Sequence, residues 1–258
     1  MTPKRLLSLA AGTILDVGPA EAVDVADAAG YRSVGLWFDP ESWTPTTTRQ
    51  VSARLAETGL VALDIEPIIL GRGVDHGERI IEAAIAVGAR NILVASGPAS
   101  SGEVVDRLGA LSALAAGTPD LTLALEFLPI FTVATLADAV AIVEQLGVAN
   151  LGVLIDTLHL SRSGGSPTDI ARCDPALLPY LQLADAPATR PPTPEALREE
   201  ALHGRLLPGD GALPLRAVLA AMPGLPVSVE LRSRMLTARY PNPVERAIVV
   251  RQACEPFV

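Results

Sequence analysis

Short runs of Val, Leu and Ile recur along this chain at intervals of about 30 residues, with segments of helical character between them, which is the spacing of strand-helix-strand units. Residues 5–9, 33–38, 61–67, 91–95, 121–127, 151–157, 180–184 and 227–231 read as strands. Residues 20–29, 47–58, 77–87, 103–116, 135–146, 213–222 and 243–254 read as helices. Gly30, Gly59, Gly88, Gly117 and Gly147 each stand shortly before a strand, where a helix end favours a residue that tolerates positive φ. Parallel strands joined by helices form either a closed barrel or an open doubly wound sheet. The open sheet would bring a glycine-rich phosphate loop after the first strand, and neither GxGxxG nor GxxxxGK follows residues 5–9. The expectation is an α/β chain with a single (β/α)8 TIM barrel over residues 1–258.

Composition narrows the partners. Apolar residues make up 49% of the chain, ample for a buried core. The net charge of −9 and the lack of any basic stretch argue against nucleic acid and leave a small molecule as the expected partner. No window reaches the ~20 uninterrupted apolar residues of a membrane span. Lys4 and Arg5 precede an apolar run at 6–15, but Ser8, Gly12, Thr13 and then Asp16 interrupt it, so a signal peptide is not expected. Cys173 and Cys254 are far apart and belong to no CxxC motif, which fits a reduced, cytoplasmic setting. The oligomeric state is open, and a homo-oligomer is compatible with the sequence.

The chemistry lies in strand parity. Glu126 shares a face with Thr122 and Ala124, Asp156 with Gly152 and Leu154, and Glu230 with Ser228, while the alternate leucines and valines take the other face. Each acid falls late in its strand, so a barrel gathers the three carboxylates at one end. Two such charges at ~4 Å repel by about 1 to 4 kcal/mol, and a divalent cation with hard oxygen ligands would compensate. Gln182 on the seventh strand adds a fourth oxygen, so Glu126, Asp156, Gln182 and Glu230 are the expected metal ligands. Taken singly, a late-strand carboxylate is as often a helix cap or half of an ion pair.

His159 reaches the site only if the chain turns at Thr157, and there it would contact substrate or act as acid or base. Glu126, Glu230 and His159 are thus the candidates for the catalytic proton transfer. His203 and Arg205 offer positive charge in a proline-rich loop at 187–211, which suits a lid or pocket wall. Trp37, Trp43, Glu66 and Asp185 join His159, His203 and Arg205 as expected contributors to substrate binding.

The stretches "ALEFLP" at 124–129, "LIDTLH" at 154–159, "QLADAP" at 182–187, "PGDG" at 208–211 and "VSVEL" at 227–231 resemble the xylose-isomerase-like TIM-barrel family of sugar phosphate isomerases and epimerases. The resemblance implies one divalent metal, Mg, Mn or Co, at the positions of Glu126, Asp156, Gln182 and Glu230, and substrate contact at His159. Many members carry His where this chain has Gln182, and "QLADAP" with "RLLPGDG" looks more like bacterial 3-dehydroshikimate dehydratases of the same superfamily. Related endonucleases of this fold need a histidine-rich zinc cluster, and this chain has only His76, His159 and His203. The sequence therefore points to a metal-dependent isomerase or epimerase acting on a sugar or polyol-like hydroxy-ketone. A dehydratase of the 3-dehydroshikimate type is the alternative, and a non-catalytic small-molecule-binding barrel is a third. Both enzymes begin by removing a proton beside a carbonyl.

Overall fold

Alternation along each strand sorts side chains into two populations, and this sorting closes the sheet. Leu123, Leu125, Phe127, Val153 and Ile155 pack outward in the large core shared with the helices. Leu63, Leu93, Ala95, Ala124, Leu154 and Tyr180 form a smaller cluster inside. In the computed structural model, which describes residues 5–258, the strands are β1 (Leu7–Leu9), β2 (Ser33–Trp37), β3 (Val61–Ile69), β4 (Asn91–Ala95), β5 (Thr122–Glu126), β6 (Leu151–Asp156), β7 (Leu181–Leu183) and β8 (Val227–Val229). They pair in parallel and in chain order, and β8 returns to β1 with Ser228 opposite Ser8. The chain is a (β/α)8 TIM barrel. The first four positions of the domain expected over 1–258, Lys4 among them, lie outside the described residues.

The first five helices are α1 (Pro19–Ala28), α2 (Pro45–Thr58), α3 (Gly77–Val87), α4 (Ser101–Ala115) and α5 (Leu136–Leu146). Thr44, Ser100 and Thr135 open α2, α4 and α5 with reciprocal capping boxes, satisfying N–H groups that have no partner inside the helix. Gly59 and Gly147 end α2 and α5 at φ of 70° and 60°. β3 runs past Pro67 because its register against β4 shifts between Ile65 and Ile68, where a residue without an N–H is tolerated.

The second half departs from the simple repeat. A helix α6 (Thr157–Arg162) starts directly at the end of β6, a short α7 (Pro167–Ile170) follows, and α8 (Pro194–His203) lies inside the segment expected to be loop. Thr193 caps α8 by accepting from the Ala196 N–H at 3.2 Å, and Pro194 occupies the first turn, where its missing N–H costs nothing. The chain continues through α9 (Leu215–Ala221), α10 (Arg234–Arg239) and α11 (Pro243–Cys254), of which α10 was not expected. No helix among the described residues is long and apolar enough to cross a membrane.

Candidate active site

β5 ends on Glu126, β6 ends on Asp156, and Glu230 follows β8 directly, so parity and strand length together carry three acids to one end of the barrel. Gln182, central in β7, lies opposite Asp156 on one side and Ser228 on the other. All four side chains are buried.

Asp156 does two jobs. Its Oδ1 accepts from the Leu158 and His159 N–H groups at 2.6 and 3.2 Å and so caps α6. Its Oδ2 accepts from Arg205 Nη1 at 2.6 Å, and that same nitrogen lies 2.9 Å from Glu230 Oε2. Because α6 begins at Thr157, His159 turns inward and its Nε2 comes within 3.8 Å of Glu126 Oε1 and 3.5 Å of Arg205 Nη2. Gly12 completes the fit, since a Cβ there would fall 2.3 Å from Glu230 Oε1.

Electrostatics follow from this crowding. Burial, reinforced by the charges of Asp156 and Glu230, holds the Glu126 carboxyl well above the usual range. Burial does the same to Glu66, with Glu230, Asp64 and Glu126 adding to it. At Asp156 burial is outweighed by Arg205 and His159, which leave its pKa below the ordinary value. Burial pushes His159 down to about 4, so the imidazole is neutral at neutral pH. The sequence assigned compensation of the clustered acids to a metal alone. In the structure Arg205 supplies part of it, bridging Asp156 and Glu230.

A metal also suits the donor chemistry. Ligand atoms of Glu126, Asp156 and His159 lie within 4.8 Å of one another. Gln182 Oε1 is buried without a hydrogen-bond partner among the described residues, as an oxygen awaiting a cation would be, while its Nε2 faces Glu66 Oε2 at 3.4 Å. His159 thus joins the potential donors, a role not expected from the sequence, and Glu230 is turned onto Arg205.

These groups open into a cavity of ≈310 Å³. Glu126, Glu230, His159, Arg205, Glu66 and Trp37 line it. Three expected contributors lie elsewhere. Asp185 is corrected from a substrate contact to a loop anchor: its carboxylate accepts from the N–H groups of Ala186, Gly209, Gly211 and Leu213 at 2.8 to 3.1 Å, which fixes the "PGDG" turn. His203 is likewise corrected, because it faces a separate groove between the first and last strand ends, with Thr13 and Ser233. Trp43 packs on Phe38, with ring centroids 5.1 Å apart, and borders outer grooves. Three cavity arginines were missed in the sequence: Arg72, Arg198 and Arg232. Only Arg232 carried a signal, since it stands two residues beyond Glu230 and shares its parity.

Comparison with known proteins agrees with this architecture. A family model described as xylose isomerase-like TIM barrel matches residues 23–248. A 3-dehydroshikimate dehydratase of Pseudomonas aeruginosa is 28% identical over 215 residues, covering 78% of this chain. The chain spans about a third of that relative, 33% of its length. Among solved structures, the IolI protein with a bound zinc atom superposes with a TM-score of 0.82 at 19% identity, covering 98% of this chain and 99% of the other. The probable 3-dehydroshikimate dehydratase AsbF of Bacillus anthracis gives 0.73 at 16% identity, covering 98% of each chain. A D-psicose 3-epimerase gives 0.74 at 15% identity, covering 97% and 98%.

Proposed function

This chain belongs to the xylose isomerase-like TIM barrel family, and from that premise we propose that it is a metal-dependent lyase that dehydrates a small polyhydroxylated ketone of the 3-dehydroshikimate type. The observation that carries the reading is the meeting of Glu126, Asp156 and His159 within 4.8 Å of one another, with Glu126, His159 and Arg205 lining a single cavity. Glu126, Asp156, Gln182 and Glu230 would hold a divalent ion such as Mg, Mn or Co, and such an ion supplies Lewis-acid polarisation of a substrate carbonyl.

The rest is the work of the chain itself. His159, neutral because burial lowers its pKa to about 4, takes the proton from the carbon beside the ketone. The electron pair of that C–H bond forms the new C=C bond as the C–O bond to the β-hydroxyl breaks. The departing oxygen takes the proton back from His159 and leaves as water. Arg205, held by Asp156 and Glu230, donates to the negative charge that develops nearby. Apolar walls at Trp37, Leu128 and Phe131 limit competing water.

Elimination is favoured over epimerisation because returning a proton to the opposite face requires a second free acid, whereas Glu230 is paired with Arg205 and Glu126 would be engaged by the ion. The 28% identical dehydratase supports the same choice. Isomerisation or epimerisation is the rival, and it would need Glu126, 3.8 Å from His159, to serve as the second acid in place of holding the ion. The test is to incubate metal-supplied protein with 3-dehydroshikimate and with a panel of ketoses. A conjugated product absorbing in the ultraviolet is expected from the first, with a kcat about 100-fold lower or worse for His159→Gln. Solvent deuterium entering a ketose without loss of water, and no conjugated product, would overturn the lyase in favour of the epimerase.

A further inference from the structure

In a protein of net charge −9, most arginines are drawn into ion pairs or backbone hydrogen bonds, yet Arg72, Arg198 and Arg232 have neither among the described residues and all three line the active-site cavity. Arg72, in the segment between β3 and α3, has its guanidinium 5.3 Å from the centroid of the Phe131 ring. Arg198 arrives from α8, where Arg198, Ala201 and Leu202 line the cavity at helical spacing, and Arg205 lines it from just beyond the helix end. Arg205 is buried at the acids, whereas Arg72 and Arg198 are exposed. The latter two also border an adjoining outer groove of ≈290 Å³ with Phe131 and Glu195, so they stand where cavity and groove meet. Two unpaired guanidinium groups against one carboxylate leave that junction positive. Arg232, with its guanidinium 5.7 Å from the Trp37 ring, adds positive charge along the cavity wall.

We propose that Arg72 and Arg198 form an anion subsite at the cavity mouth, which takes a carboxylate or phosphate on the end of the substrate remote from its reacting ketone. The assignment rests on the proposed function in placing the ketone end at the Glu126, Asp156 and His159 cluster. Guanidinium groups suit either anion because their N–H donors match paired oxygens. Substrates with a neutral far end would lose this hold, so the arginine pair sets specificity while the acids and His159 set the chemistry.

Two matched probe pairs test it by isothermal titration into manganese-supplied protein: catechol with 3,4-dihydroxybenzoate, and dihydroxyacetone with dihydroxyacetone phosphate. Within each pair the chelating end is kept and only the anion is added. At least one charged member is expected to bind about tenfold tighter than its neutral partner, and the pair in which this occurs tells carboxylate from phosphate. The double variant Arg72→Ala, Arg198→Ala should reduce that preference to within about threefold and leave the neutral member unchanged, while Arg216→Ala, an exposed arginine elsewhere, leaves it intact. The subsite is overturned if charged members bind no tighter than neutral ones, if no probe binds, or if the double variant keeps the preference. Failure of the proposed function reads differently: chelating probes would then bind equally with and without manganese, whatever the charge preference.

Discussion

Asp156 shows how much one side chain carries here. One of its oxygens caps α6 and the other binds Arg205, so Asp156→Asn removes one of the two carboxylates that hold a buried guanidinium while keeping the size of the side chain. Breaking one side of a buried pair costs about 3 to 5 kcal/mol, and urea unfolding of the metal-free variant should show a loss of that order; an unchanged midpoint would contradict the pairing. Asp64 tests burial itself. Its carboxyl, fully buried on β3, is pushed up to about 7, chiefly by burial and then by the charge of Glu230. An acid whose folded pKa exceeds its unfolded value gives stability that is complete below the unfolded value near 3.8 and is lost as pH rises through about 7. Metal-free protein should therefore weaken by a few kcal/mol between those limits, and Asp64→Asn should flatten the profile. Glu126, Asp156 and Glu230 were legible in the sequence because a strand's period of 2 is strict. The bond between Arg205 and Asp156 was not, since 49 positions separate the two and only the folded barrel brings them together.

At the level of elements, the clamp between α6 and α8 decides how the cavity is walled. Arg162 on α6 donates to both carboxylate oxygens of Glu200 on α8 at 2.7 Å and to the Pro187 carbonyl at 2.8 Å. Glu200→Ala should destabilise the protein by about 3 kcal/mol, because Arg162 is left buried without its carboxylate. It should also expose α8 to limited proteolysis; a wild-type cleavage pattern would argue against the clamp. Thr193→Ala, which removes only the cap of α8, should cost about 1 kcal/mol in the same unfolding measurement. The sequence did hold a sign of α8, a Thr-Pro pair opening a stretch rich in Ala, Leu and Glu. The nearby prolines at 187, 191 and 192 outweighed it in the loop reading, although a proline in the first turn favours a helix. α6 was hidden for another reason: its cap is Asp156, the last residue of β6, so strand and helix share a boundary with no loop between them.

Across the whole molecule, closure of eight parallel strands was readable from the repeat alone, because each unit buries one face outward against helices and the other inward. The same closure gathers acids from β5, β6 and the end of β8 at a cost that Arg205 only partly offsets. A bound cation would then stabilise the folded chain by mass action, about 2.7 kcal/mol at 100 times its Kd. Thermal melts should shift upward with added manganese or cobalt and back with a chelator, and a melting temperature indifferent to both would speak against a cation in the barrel. Calorimetric titration of the metal-free protein with manganese, in parallel for Glu126→Gln and Gln182→Ala, tests most directly whether these side chains hold a cation. The wild-type chain should take up one ion, with affinity lowered at least about tenfold in each variant. No binding by the wild type, or equal affinity in all three proteins, would contradict it.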